Sequence, residues 1–141
     1  MDKVEVGHAQ RIIFEDVKRS PDGELESIVV SVELKDLVAR REVAAHYGNG
    51  FDGLSKFFND LVENWSGWRG IKSYVSLERD LRLEAEHTGS HINLSFDLHD
   101  PEFPGTWSVG GQLTLELGEE LNQINNALNE LMARTKPADI R

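Results

Sequence analysis

The sequence predicts an α+β fold, an antiparallel β-sheet of about six to seven strands with two α-helices packed on one face. Three observations predict it. Two stretches carry apolar residues at helical spacing. Several others alternate apolar and polar residues. The links between neighbouring alternating stretches are too short for anything but antiparallel pairing.

The elements follow in chain order. Ile28, Val30, Val32 and Leu34 share one face of a strand whose other face is Ser27, Val29, Ser31 and Glu33. The pattern breaks near Asp36-Leu37 and resumes at Val43, Ala45 and Tyr47. A Gly48-Asn49-Gly50 loop leads into the first helix, where Leu54, Phe57, Phe58, Leu61, Val62 and Trp65 form one apolar stripe. Asp52 is the expected N-cap, Lys56 and Asp60 an i,i+4 ion pair, and Gly67 the stop. A hairpin follows. With Thr88-Gly89 as its turn, Ala85 faces Ile92, Leu83 faces Leu94 and Leu81 faces Phe96. One face is then wholly apolar. The other carries Arg82, Glu84, Glu86, His91, Asn93, Ser95 and Asp97, and points away from the helices. Trp107, Val109, Leu113, Leu115 and Leu117 share a face of the last strand, with a bulge or bend expected at Gly110-Gly111. The second helix has the stripe Leu121, Ile124, Leu128, Leu131 and Met132, with Glu119 and Glu120 in its first turn and Arg134 near its end. Pro21-Asp22-Gly23 and the 100–105 segment read as loops. Residues 1–141 read as one domain, with 135–141 a flexible tail.

Composition narrows the function. No residue among the 141 is a cysteine, which removes disulfides, thiolate metal sites and cysteine nucleophiles. The start of the chain is charged, and no apolar run has the roughly 20 residues of a membrane helix, so the expectation is a cytoplasmic protein that does not enter membranes. The formal charge of −10 opposes binding to phosphate backbones, so no nucleic-acid partner is expected. A basic protein partner is compatible with it.

Chemistry-bearing constellations are sparse. His91 and His99 share a strand face but lie about 26 Å apart at a strand's rise, too far for one ion. Asp97 and His99 sit at i,i+2 without a third ligand, so no metal site is expected. Glu84 and Glu86 share a face, but on an open sheet they are ordinary solvated carboxylates. No nucleophile elbow and no lysine-bearing phosphate loop is present, so no catalytic residue and no cofactor is assigned. The distinctive segment is Trp65-Ser66-Gly67-Trp68-Arg69-Gly70, with two of the three tryptophans. Trp65 continues the buried stripe. Trp68 falls out of phase with it and either caps the sheet edge as a packed corner residue or, with Arg69 beside it, stands at a binding surface as an anchor.

A set of marks runs along residues 28–132: Trp65-Ser66-Gly67-Trp68-Arg69-Gly70, Ser76-Leu77-Glu78, Gly89-Ser90-His91-Ile92, Trp107 and Gly118-Glu119-Glu120-Leu121. In these the chain resembles a family of uncharacterised actinobacterial and proteobacterial proteins. It departs from the pattern in having Tyr74 in place of tryptophan and Ser90 between Gly89 and His91. The resemblance implies no assigned activity. In size, charge and style the chain is also similar to the acidic immunity proteins encoded beside bacterial toxins. The leading expectation is therefore a non-catalytic bacterial protein-binding module, of the immunity type directed against a basic toxin. Its binding residues would be Trp68, Arg69, Arg82, Glu84, Glu86, His91 and Asn93. The alternative is a small-molecule-binding protein or enzyme with a pocket between sheet and helices near Trp68, Arg69 and Trp107. A homo-oligomer joined through the open sheet face is a third reading, since the sequence leaves the oligomeric state open.

Overall fold

Alternation with period two begins earlier in the chain than the strands expected from sequence. In the computed structural model, which describes residues 3–102 and 105–133, Val4 and Val6 form the buried face of β1 (Lys3–Gly7). Ile12 and Phe14 do the same in β2 (Arg11–Arg19). Then come β3 (Leu25–Leu34), β4 (Leu37–Ala44), α1 (Asp52–Glu63), β5 (Ile71–Val75), β6 (Leu81–His87), β7 (His91–His99), β8 (Ser108–Glu116) and α2 (Glu119–Ala133). A four-stranded meander followed by a helix thus occurs twice.

The strands do not form the single sheet of six to seven strands expected. They form two four-stranded antiparallel sheets, β1-β2-β3-β4 and β5-β6-β7-β8. Helix α1 interrupts the chain between β4 and β5, and strand pattern alone carries no information about pairing across such a break. The helices are likewise not laid on one face of one sheet. They pack on each other, α1 against β5 and α2 against β1, β2 and β8. The inner faces of both sheets and both helices contribute to one hydrophobic cluster. No helix among the described residues is long and apolar enough to cross a membrane.

Local expectations are corrected in several places. The break at Asp36-Leu37 is a tight hairpin that pairs Leu34 with Leu37 and holds Asp36 at a φ of 62°. Tyr47 lies beyond β4 and is exposed. The β6–β7 turn is centred on Gly89-Ser90, closed by a Thr88 N–H to His91 carbonyl bond of 2.9 Å, not on Thr88-Gly89. Every partner therefore shifts by two: Ala85 faces Leu94, Leu83 faces Phe96 and Leu81 faces Leu98. A two-residue shift keeps every side chain on its face, which is why the apolar pattern could not exclude it. Gly110-Gly111 makes no bulge, and β7 and β8 pair in continuous register. Gly111 is small for another reason: a Cβ there would lie 2.6 Å from Phe96 Cζ. Trp107 precedes β8.

The helix ends also differ. Phe51, not Asp52, occupies the N-cap position of α1, and Asp52 is its first residue. The helix stops at Glu63, where the Asn64 side chain bonds the Asp60 carbonyl at 2.9 Å, well before Gly67. Asp60 pairs with Lys72 of β5 at 2.8 Å in place of Lys56. Arg134 and the tail 135–141 lie outside the described residues, as do positions 103–104 of the 100–105 loop. The cation at the end of α2 comes instead from β2, where Arg19 donates to the Met132 carbonyl at 2.5 Å.

One charge sits on a core face. In register, Val4, Phe14, Val30 and Arg41 form one row across the inner face of the first sheet. The Arg41 side chain keeps 22% exposure, and its Nε donates to Oδ2 of the fully buried Asp80 at 2.7 Å. Asp80 Oδ1 accepts the Ser76 hydroxyl at 2.6 Å, Ser76 Oγ accepts the Leu81 N–H at 2.9 Å, and the Asp80 carbonyl accepts the His99 N–H at 3.0 Å. Glu78 and Asp100 flank the guanidinium at 3.9 and 3.8 Å. This network joins the edge strand of the first sheet to the β5–β6 turn of the second.

Nearby, burial and secondarily the Asp80 charge push the Tyr74 phenol up to about 12 from 10.0. Between those pH values the unfolded chain sheds a proton that the folded protein keeps. The stability contributed by Tyr74 is therefore intact below pH 10 and is lost as pH rises toward 12, by roughly 2 kcal/mol. Urea midpoints measured across that window should fall in the wild type and fall less in Tyr74→Phe. At neutral pH the same substitution should be neutral or mildly stabilising, because the Tyr74 hydroxyl is buried without a hydrogen-bond partner.

Candidate functional site

The second sheet has one face turned to the core and one turned outward. Its inner face is Tyr74, Leu81, Leu83, Ala85, Ile92, Leu94, Phe96 and Leu98, with Leu113 and Leu115, all buried. Side chains alternate along a strand, so the intervening residues share the outer face. Register aligns them in rows: Ile71, Glu86, Asn93 and Thr114; then Ser73, Glu84, Ser95 and Gln112; then Val75, Arg82, Asp97 and Gly110. Five of the seven residues expected to bind, Arg82, Glu84, Glu86, His91 and Asn93, thus stand together on one face that the described residues leave uncovered.

The face is zoned along its strands. At the β6–β7 turn end, Glu86 and Glu116 stand either side of β7, and His91 Nε2 contacts Glu116 at 3.2 Å. Glu84 lies one row further in. At the other end are Arg82, Asp97 and His99, overhung by the β5–β6 turn with Arg79. Arg82 and Asp97 are directly opposite each other, yet Asp97 Oδ1 accepts His99 Nδ1–H at 2.8 Å, and among the described residues Arg82 reaches only Glu84, at 3.7 Å. Among the described residues no group of three or more His, Asp or Glu is placed to hold a metal ion.

Trp68 and Arg69 do not join this face. Trp68 meets His87 edge-on at 5.2 Å, with Lys72 Nζ 5.3 Å from its ring centre. Lys72 and His87 are in phase with the core-facing residues, so Trp68 closes the inner corner of the sheet and Arg69 is exposed beyond it. His87 fixes this corner: Nδ1 accepts the Gly89 N–H at 3.0 Å, so the Nε2–H donates to the Trp65 carbonyl at 2.8 Å. The Trp68 indole N–H is buried without a partner. The groove between α1 and β5 is lined by Lys56, Asp60, Lys72 and Ser73, not by Trp68, Arg69 or Trp107.

Trp65 was expected in the core and is 56% exposed. It continues the phase of the α1 stripe, but α1 has already ended at Glu63. Its ring borders a small groove with Val62 and Leu121. Trp65→Phe should therefore remove most of the iodide-quenchable fluorescence, and Trp68→Phe little of it. Equal losses would contradict this placement.

Sequence reasoning missed Arg41, Arg79 and Asp80. Arg41 was detectable as a charge in phase with Val43 and Ala45. Asp80 and Arg79 belong to a turn and have no periodicity to reveal them.

No curated protein and no solved structure matches the chain. A family model does, described as Family of unknown function (DUF6228), over residues 3–135. That match takes in both meanders and both helices, and the chain belongs to this DUF6228 family of unknown function.

Proposed function

We propose that the chain is a non-catalytic protein-binding module that receives a cationic partner on the acidic end of the outer face of the second sheet. One observation carries the reading: Glu84 and Glu86 of β6 and Glu116 of β8 flank Asn93 of β7 on a face that the described residues leave uncovered, with the exposed Ile71 at the end of the Glu86 row. Carboxylates spaced over a flat sheet attract a basic surface and speed its approach, while Asn93 and Ile71 supply a hydrogen-bonding and an apolar contact. In its narrower form the partner is a basic toxin and the chain its bacterial, cytoplasmic inhibitor. The −10 charge of the whole chain favours the same partner sign.

The test compares the wild type with Glu84→Lys/Glu86→Lys/Glu116→Lys as baits in the source cell extract at low salt. A basic protein should be retained by the wild type, released by salt, and lost from the triple variant. Identical capture by both baits would refute the acidic face as the docking surface. Both proteins should have the same circular dichroism, because these side chains are outside the core.

A further inference from the structure

The opposite end of the same face carries chemistry that a cationic partner does not use. A shallow groove of about 820 Å³ lies there. Its floor is the row Val75, Arg82 and Asp97, with His99 beyond, and its lip is the turn carrying Leu77 and Arg79. We propose that this groove binds the phosphate group of a small organic phosphate, held by the guanidinium groups of Arg79 and Arg82.

Arg69, Arg79 and Arg82 all lack a close carboxylate among the described residues, but only Arg79 and Arg82 line one groove, in a chain with 25 acidic and 15 basic side chains. Arg11, Arg40 and Arg41 each meet a carboxylate at 3.1 Å or less. Among the described residues Arg79 makes no ion pair, and Arg82 has only the 3.7 Å contact with Glu84. The one carboxylate opposite Arg82 is engaged elsewhere: Asp97 accepts from His99 at 2.8 Å and from the Ser108 hydroxyl at 3.5 Å. Ser76, on the same turn, is committed to Asp80. The donors left over in the groove are thus guanidinium N–H groups, whose planar fork matches a phosphate.

Arg79 also sits at a φ of 65°, a backbone region that glycine and asparagine enter readily and arginine rarely. Its N–H bonds the Ser76 carbonyl at 3.0 Å, so the turn fixes it there. A glycine would close this turn with less strain, and the arginine is held against that preference. Two guanidinium charges match a phosphate dianion better than a carboxylate. The groove is far larger than a bare phosphate ion, and Val75 and Leu77 give it apolar walls for a carbon skeleton.

The test is an amide NMR titration with glycerol phosphate, inorganic phosphate and acetate, at low salt because the overall charge opposes anions. Glycerol phosphate should give saturable shifts confined to residues around Val75, Arg79, Arg82 and His99. Inorganic phosphate should bind more weakly and acetate weakest. Arg82→Gln should weaken glycerol phosphate binding about 10-fold or more. Arg79→Gly should weaken it comparably while raising the melting temperature by about 1–3 °C. That opposition of binding loss and thermal gain separates a recognition role from damage to the fold. Absence of saturable shifts, wild-type binding by either variant, or equal binding of the three anions would each overturn the proposal. The titration uses the lone protein, so its failure leaves the partner reading untouched.

Discussion

Asp80→Ala should lower the stability of the protein by about 3 kcal/mol, roughly 10 °C in melting temperature. The carboxylate it removes is fully buried and is, among the described residues, the only close partner of the Arg41 side chain on the core face of β4. A paired buried charge contributes little net stability, because desolvation nearly cancels attraction. An unpaired one is costly. Alanine would leave the Arg41 guanidinium with Glu78 and Asp100 at 3.9 and 3.8 Å, too far for good hydrogen bonds. It would also free the Ser76 hydroxyl, now 2.6 Å from Asp80. The loss lies at the low end for a broken buried pair, because the Arg41 side chain keeps some access to water. Urea unfolding checks it: the midpoint should fall with the slope unchanged. The double variant Arg41→Ala/Asp80→Ala should cost clearly less than the sum of the single changes. A loss below about 1 kcal/mol in Asp80→Ala would mean that the pair behaves as a solvated surface bridge.

Phe58→Ala should cost more, about 3–5 kcal/mol. Phe58 is fully buried on α1. Its ring meets Phe14 of β2 edge-on at 6.4 Å and Phe57 at 5.2 Å. Truncation removes the transfer energy of a benzyl group, opens a cavity in the shared core, and deletes two edge-to-face contacts worth about 0.5–1.5 kcal/mol each beyond area. Phe58→Leu refills most of the volume and should lose far less. If both variants lost the same amount by chemical denaturation, cavity formation would not be the cause.

Legibility in the sequence followed the physics of each feature. The stripe Leu54, Phe57, Phe58 and Leu61 and the stripe Leu121, Ile124, Leu128 and Leu131 are all buried, because one helix face must be. Phase holds only while the helix lasts, which is why Trp65 came out exposed. The polar face of β6 and β7 was legible as a face, since period two fixes sides. It does not fix partners, so the hairpin register slipped by two. In β2 the alternation is interrupted by a register shift between Glu15 and Lys18, with Asp16 at a φ of 53°, which hides the strand from a period-two pattern. The division into two sheets and the pairing of the inward Arg41 with Asp80 depend on contacts distant in sequence. No local pattern reports those.

Every ladder in both sheets joins strands that are consecutive in the chain. Zipping either meander therefore requires closing only short loops, an entropic cost that grows slowly with length. Each four-stranded unit can in principle assemble before the two halves meet, a topology that favours rapid early structure. The docking of α2 across β1 and β8 and the burial of Arg41 against Asp80 join elements far apart in sequence and are expected to form after the meanders. Substitutions at that junction should therefore speed unfolding more than they slow folding.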